Sequence, residues 1–225
     1  MKKIVFFHIP KNGGTNMKDL IKSFNNPNLI SIEKLRSKYI SEYKNSLKNN
    51  IPNEFFLFSC HHDVNEYICF CICRNPYYRC ISTYKWILAE LEEDQVTKVP
   101  DRRRMLTNGT ILSRDILFSD FVDLVPGIIN TPSNKYNNLK WHLQPQYLQV
   151  YGKNGNIISN IVKLESYESD LQLLLDMIDI KKGTFHIGKK NSSNINEYES
   201  FLNTTIKEKI YNIYEKDFEI FNYKK

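Results

Sequence analysis

Long apolar runs are missing from this chain of 225 residues. None approaches the roughly eighteen residues that a membrane-crossing helix needs, so no transmembrane segment is expected. A signal peptide is missing as well. Met1-Lys2-Lys3 and Ile4-Val5-Phe6-Phe7 begin like one, but the apolar run breaks at His8-Ile9-Pro10-Lys11 and no small-residue cleavage site follows. The amino terminus therefore reads as mature and the protein as cytoplasmic. No Cys-x-x-Cys spacing occurs among the five cysteines. Cys69, Cys71 and Cys73 alternate, which puts them along one face of a strand but too far apart to close a tetrahedral metal site. They read as small apolar residues of a buried strand whose free thiols suit a reducing compartment, and no metal is expected. A strong charge of one sign is also lacking. The net charge of +6 and pI near 8.9 suit an anionic ligand. The basic residues are dispersed, however, and nucleic-acid binding is not expected. Repeats, low-complexity tails and linkers are absent, and the length fits one domain spanning 1–225.

What is present begins with the run His8-Ile9-Pro10-Lys11-Asn12-Gly13-Gly14-Thr15. An apolar stretch precedes it and a segment of helical spacing follows, Met17 to Lys22. A strand, a tight Gly-Gly loop and a helix start form a cradle for phosphate, because main-chain N–H groups and the helix dipole converge on one point. The loop of nucleoside-triphosphate enzymes ends in Gly-Lys-Ser/Thr, with its lysine after the glycines. Here Lys11 comes before them, so that signature is absent.

Along the chain, residues 3–8 are expected as a strand, 15–24 as a helix, 29–32 as a short strand and 33–48 as helical, ended by the breaker at 49–52. The apolar runs 55–58 and 67–73 read as strands covered on both faces. Further helices are expected at 76–93, near 114–124, at 167–179 and at 204–217, with extended segments at 147–150 and 158–164. This alternation predicts an α/β fold with a mostly parallel sheet flanked by helices.

A second motif follows the strand 67–73: Arg74-Asn75-Pro76-Tyr77-Tyr78-Arg79-Cys80-Ile81-Ser82-Thr83-Tyr84. Asn75 suits a helix N-cap and Pro76 the first helical position. Arg74 then lies at the carboxyl end of a strand, where α/β sheets bind ligands, and its planar fork matches a phosphate. Arg79 and Ser82 are three apart on one helix face.

Together, the His-Ile-Pro-Lys-x-Gly-Gly-Thr and Arg-Asn-Pro-x-x-Arg-x-x-Ser-x-Tyr motifs resemble those of the carbohydrate-type sulfotransferases. Weaker likenesses lie at 61–62, 141–146, 162–171 and 210–223, and only about 90–140 is unlike the family. Asn12 stands where the family usually carries Thr. The resemblance implies a sulfotransferase fold, of the P-loop nucleotide-binding type, and transfer of a sulfuryl group from 3′-phosphoadenosine 5′-phosphosulfate (PAPS) to a carbohydrate hydroxyl, leaving 3′-phosphoadenosine 5′-phosphate (PAP). It implies that Lys11, Asn12, Gly13, Gly14, Thr15 and Asn16 hold the 5′ end of the nucleotide, and that Arg74 and Ser82 hold the 3′-phosphate. Arg79 and Tyr84 support the helix.

The chemistry needs an in-line acceptor oxygen, a base and positive charge on the leaving phosphate. Lys11 is the candidate for that charge. His61 or His62 is the candidate base, read as lying between two strands, with His8 and Glu165 behind them. Lys189 and Lys190 could close over a nucleotide phosphate. Arg102, Arg103 and Arg104 fall in the divergent stretch and could select an acidic glycan. The alternatives are a nucleotide-dependent phosphotransferase and a non-catalytic glycan- or nucleotide-binding module on the same fold.

Overall fold

The computed structural model describes residues 2–24, 26–35, 41–42, 53–97, 112–130, 138–177 and 195–225. These fall into two compact units. One comprises the described residues up to 75 together with 146–177. The other comprises 76–97, 112–130, 138–145 and 195–225.

The first unit is built on a parallel sheet of order β2-β1-β3-β4, with β1 at Lys3–Phe7, β2 at Leu29–Ser31, β3 at Tyr67–Cys73 and β4 at Asn160–Lys163. Val5 lies opposite Ile30 on one side and Cys69 on the other, and Cys71 lies opposite Ile161. Ile4 to Phe7 and Cys69 to Cys73 are buried throughout, which is why both central strands read as unbroken apolar runs. On one face Ile4, Phe6, Phe70, Ile72 and Val162 pack with helix α1 (Gly14–Phe24) through Met17, Leu20 and Ile21. The long helix after β4 adds Leu171, Leu174 and Leu175 to the same core. On the other face Phe7 meets Phe55 and Phe58 edge-on, at ring-centroid distances of 5.2 and 5.3 Å. The alternating cysteines are buried as the sequence suggested, and burial raises the Cys69 thiol to about 12 and Cys71 well above its ordinary value.

The segment expected as a strand at 55–58 is instead a helix, α2, spanning Glu54–His61. Short apolar runs do not distinguish the two structures. The deciding feature is local: Asn53 Oδ1 accepts the N–H of Phe56 at 2.9 Å and caps the helix. Phe55 and Phe58, three apart, are buried, while Phe56 between them is exposed. Residues 147–150, expected as extended, lie in and beside a 3-10 turn at Gln146–Gln149. Its inward residues, Gln146 and Gln149, are again three apart, which is the 3-10 repeat. Of the helix expected at 33–48, the described part begins with a 3-10 turn at Ile32–Lys34, and most of the rest lies outside the described residues.

The second unit is helical among its described residues: α3 (Pro76–Thr97), α4 (Phe118–Asn130), α5 (Asn138–Leu143), α7 (Ile195–Glu199) and α8 (Thr204–Ile220), where α6 is the sheet unit's Tyr167–Asp176. Ile81, Phe121, Val125, Leu139, Leu143, Ile210 and Phe218 form its core. The helix expected near 114–124 runs further, through Pro126. Phe118, Phe121, Val122, Val125 and Ile128 keep a buried helical stripe that outweighs the proline. No helix among the described residues is long and apolar enough to cross a membrane.

Candidate functional site

β1 ends at Phe7 and α1 begins at Gly14, so the cradle is the loop 8–13 at the carboxyl edge of the sheet. The chain enters the left-handed region twice there, at Lys11 (φ 69°) and Gly13 (φ 76°). A lysine in that region costs of the order of 1 kcal/mol or more, and such strain collects at ligand-holding loops. Gly13 is required twice over: its φ disfavours a side chain, and a Cβ would press on Leu164 Cδ1 at 3.0 Å. Gly14 is required because the His8 ring occupies the space where its Cβ would be. Met17 N–H closes the first helical hydrogen bond on the Gly13 carbonyl at 3.1 Å. The N–H groups ahead of it are those a helix start leaves for an anion. The first turn of α1 carries no acidic residue, and Thr15 there is exposed.

His8 is half-buried. Burial first, then the charge of Lys18, and to a smaller degree Lys11, depress its pKa to about 4, so the ring is neutral near pH 7. Lys18 in turn pairs with Glu33 at 2.5 Å. Burial pushes that carboxyl up, but hydrogen bonds from Lys18 and Ser31 outweigh it and hold the group at about 2.

Asn12 does not face outward with its neighbours. It is buried, and its Nδ2 donates to the Ile72 carbonyl (2.8 Å) and to Gln146 Oε1 (2.7 Å). Its Oδ1 is buried with no hydrogen-bond partner among the described residues. Any contact of Asn12 with a ligand in the cradle would therefore come from its main chain.

Arg74 follows the last residue of β3 and stands at the same edge. Its Nη1 reaches the Lys11 carbonyl at 3.5 Å. The next residue, Asn75, donates its N–H to Glu165 Oε1 at 2.8 Å. Glu165 thus secures, through one of its oxygens, the turn that carries Arg74.

The two candidate bases lie elsewhere. His61 is the last residue of α2, exposed and paired with Glu42 at 3.0 Å. His62 is the C-cap of α2. Its ring stacks on Phe58 (4.5 Å) and meets Tyr67 edge-on (5.7 Å). Tyr67 opens β3 whereas Arg74 follows its end, and seven residues of strand at ~3.3 Å put them about 23 Å apart. The expectation that His61-His62 sits between two strands at the cleft edge fails because the first of those strands is the helix α2, which delivers both histidines to the amino edge of the sheet.

In the helical unit, Arg79 is buried and donates to the carbonyls of Gln144 (2.9 Å) and His142 (3.0 Å). Tyr84 donates to the Ile116 carbonyl at 2.8 Å. Both support the fold, as expected. Ser82 is half-buried on α3. His142 stacks on Trp86 at 4.1 Å. Arg102, Arg103, Arg104, Lys189 and Lys190 lie outside the described residues.

A family model described as "Sulfotransferase family" matches residues 1–224. The chain belongs to the sulfotransferase family. Among curated proteins, the chain is 24% identical over 248 aligned positions to carbohydrate sulfotransferase 10 of Xenopus laevis. The match covers 99% of the chain and 65% of that relative, so the chain spans just under two thirds of the relative's length. No solved structure matches it. The site residue that sequence reasoning missed is Gln146, fully buried and bonded to both Asn12 and Arg74. Its only signal was its position at the end of the family-like segment 141–146.

Proposed function

We propose that the protein transfers a sulfuryl group from PAPS to a hydroxyl of a glycan. The observation that carries this reading is the doubly left-handed loop holding Lys11 beside Arg74 at one edge of the sheet, with no acidic residue in the helix turn that faces it. PAPS would supply an activated sulfuryl group on a phosphate leaving group. Main-chain N–H groups of residues 13–15 and the Thr15 hydroxyl suit the 5′ end, and Lys11 suits the charge that grows on the leaving phosphate. Arg74 suits the 3′-phosphate as a charge-assisted partner. The glycan acceptor is carried over from the relative named a carbohydrate sulfotransferase.

For the base, the separation of His61 and His62 from the cradle favours a group at the carboxyl edge. Among the described residues, His8 within the loop and Glu165 beside it are such groups. His8 is turned onto Gly14, and burial with two lysine charges weakens it as a proton acceptor. Glu165 is an exposed carboxylate side chain with one oxygen on the Asn75 N–H. We therefore assign the base to Glu165.

Calorimetry with PAP and AMP, followed by turnover of labelled PAPS over a glycan panel with EDTA present, tests the reading. PAP should bind more tightly than AMP, and Arg74→Ala should remove roughly tenfold or more of that affinity. Lys11→Ala should lower turnover more than nucleotide affinity. Glu165→Gln should lower turnover about a hundredfold to ten-thousandfold. Equal affinity for the two nucleotides would reject the donor, and normal turnover in Glu165→Gln would reject the base. Complete EDTA inhibition reversed by a metal would turn the reading toward phosphoryl transfer.

A further inference from the structure

We infer that Gln146 is a positioning residue for the donor nucleotide, acting through Arg74 and Asn12 without touching the ligand; this rests on the donor reading above. The sheet ladder between β1 and β3 ends at Phe7 and Cys71, and that between β3 and β4 ends at Cys73 and Lys163. Arg74 lies three residues beyond the first of these ends and one beyond the second, past the last strand partner in either ladder. The Gln146 side chain supplies one. Its Oε1 accepts the Arg74 N–H at 3.0 Å, and its Nε2 donates to the Arg74 carbonyl at 2.9 Å. One planar amide thus imitates a paired strand residue and fixes the main chain from which the guanidinium projects.

The same contacts decide the orientation of two amides. Turning Gln146 over would set Nε2 against an N–H and Oε1 against a carbonyl, so the observed orientation is the one the main chain permits. With Oε1 facing Asn12, the Asn12 amide must present its Nδ2, whose other hydrogen goes to the Ile72 carbonyl. Asn12 follows Lys11 in the cradle, and the Arg74 side chain returns to the Lys11 carbonyl. The loop that would hold the 5′ end and the arginine that would hold the 3′-phosphate are therefore tied to one another through a fully buried glutamine. A residue placed there sets the spacing of the two phosphate sites, so it should govern discrimination between a bisphosphate and a monophosphate nucleotide.

The test is calorimetry of the full chain and its variants with PAP and with AMP, alongside thermal unfolding. In Gln146→Ala, PAP affinity should fall roughly 3- to 10-fold, the range that one net hydrogen bond spans, while AMP affinity stays within about twofold. Gln146→Glu gives a second readout. Its carboxyl reproduces the amide pattern only while protonated, since an ionised carboxylate has no hydrogen for the Arg74 carbonyl. Relative to the wild type at each pH, its PAP preference should be retained at pH 5.5 and lost at pH 8. Equal losses for both nucleotides, or a PAP loss independent of pH in Gln146→Glu, would reduce Gln146 to structural support. A wild type that prefers PAP while both variants keep that preference overturns the positioning role alone. A wild type without the preference overturns the donor reading and this inference together.

Discussion

His8 shows how a single side chain can link the cradle to solution conditions. Its ring fills the space over Gly14 and is kept neutral by burial and by the nearby lysines, with a pKa of about 4 against 6.5 in the open chain. The unfolded chain therefore takes up a proton at a pH where the folded one does not. The stabilisation from His8 is complete above pH 6.5 and is lost progressively as the pH falls from 6.5 toward 4. For a half-buried group the loss should be about 1–3 kcal/mol. Urea unfolding at pH 7.5 and 4.5 should show His8→Asn with a smaller fall in stability than the wild type, and parallel falls would remove His8 as the cause. At this scale the sequence was partly legible. Gly13 and Gly14 announced a close approach, but nothing in the sequence revealed that the approaching group was His8. The inward turn of Asn12 was hidden for a related reason: its partners, Ile72 and Gln146, are 60 and 134 residues away.

Among the elements, two arginines of one motif divide into opposite roles. Arg79 holds two carbonyls inside the helical unit, and Arg79→Ala would take this donor from both, the bond to Gln144 being buried. We expect it to cost about 2–4 kcal/mol. Arg74→Ala, half-buried at the sheet edge, should leave the unfolding midpoint nearly unchanged while weakening nucleotide binding. Thermal unfolding of the pair checks this, and equal midpoints would contradict the division. Helix α2 carries a second expectation. His62 packs against both the Phe58 and Tyr67 rings, so His62→Ala should cost about 1 kcal/mol of stability and leave turnover near normal, as should His61→Ala. A hundredfold loss of turnover in either variant would restore the histidine base. The strands β1 and β3, the helix α1 and the long helices α3 and α8 were legible because each is a long uniform pattern or carries a start signal. Helix α2 was not, because four apolar residues fit either period and the deciding cap sits on Asn53, just before the run.

For the molecule as a whole, the donor reading implies linkage between binding and folding. PAP at a hundred times its dissociation constant should stabilise the protein by about 2.7 kcal/mol, read as a rise in the unfolding midpoint that AMP at the same concentration does not match. An unmoved midpoint under saturating PAP would count against a nucleotide site. The α/β class and the parallel sheet were legible across the chain, whereas the partition of described residues into a sheet unit and a helical unit was not, since no composition shift marks positions 75 and 146. One further consequence follows from the cysteines. Burial keeps Cys69, Cys71 and Cys80 protonated far beyond neutral pH, and Cys73 is also buried, while Cys60 is exposed on α2 near the amino edge of the sheet. A maleimide reagent at pH 7 should attach to the native protein once, at Cys60, and to the urea-unfolded chain at all five cysteines, countable by intact mass. A fluorophore carried there would sit at the sheet edge opposite the cradle, a ready-made reporter that leaves the nucleotide loop untouched.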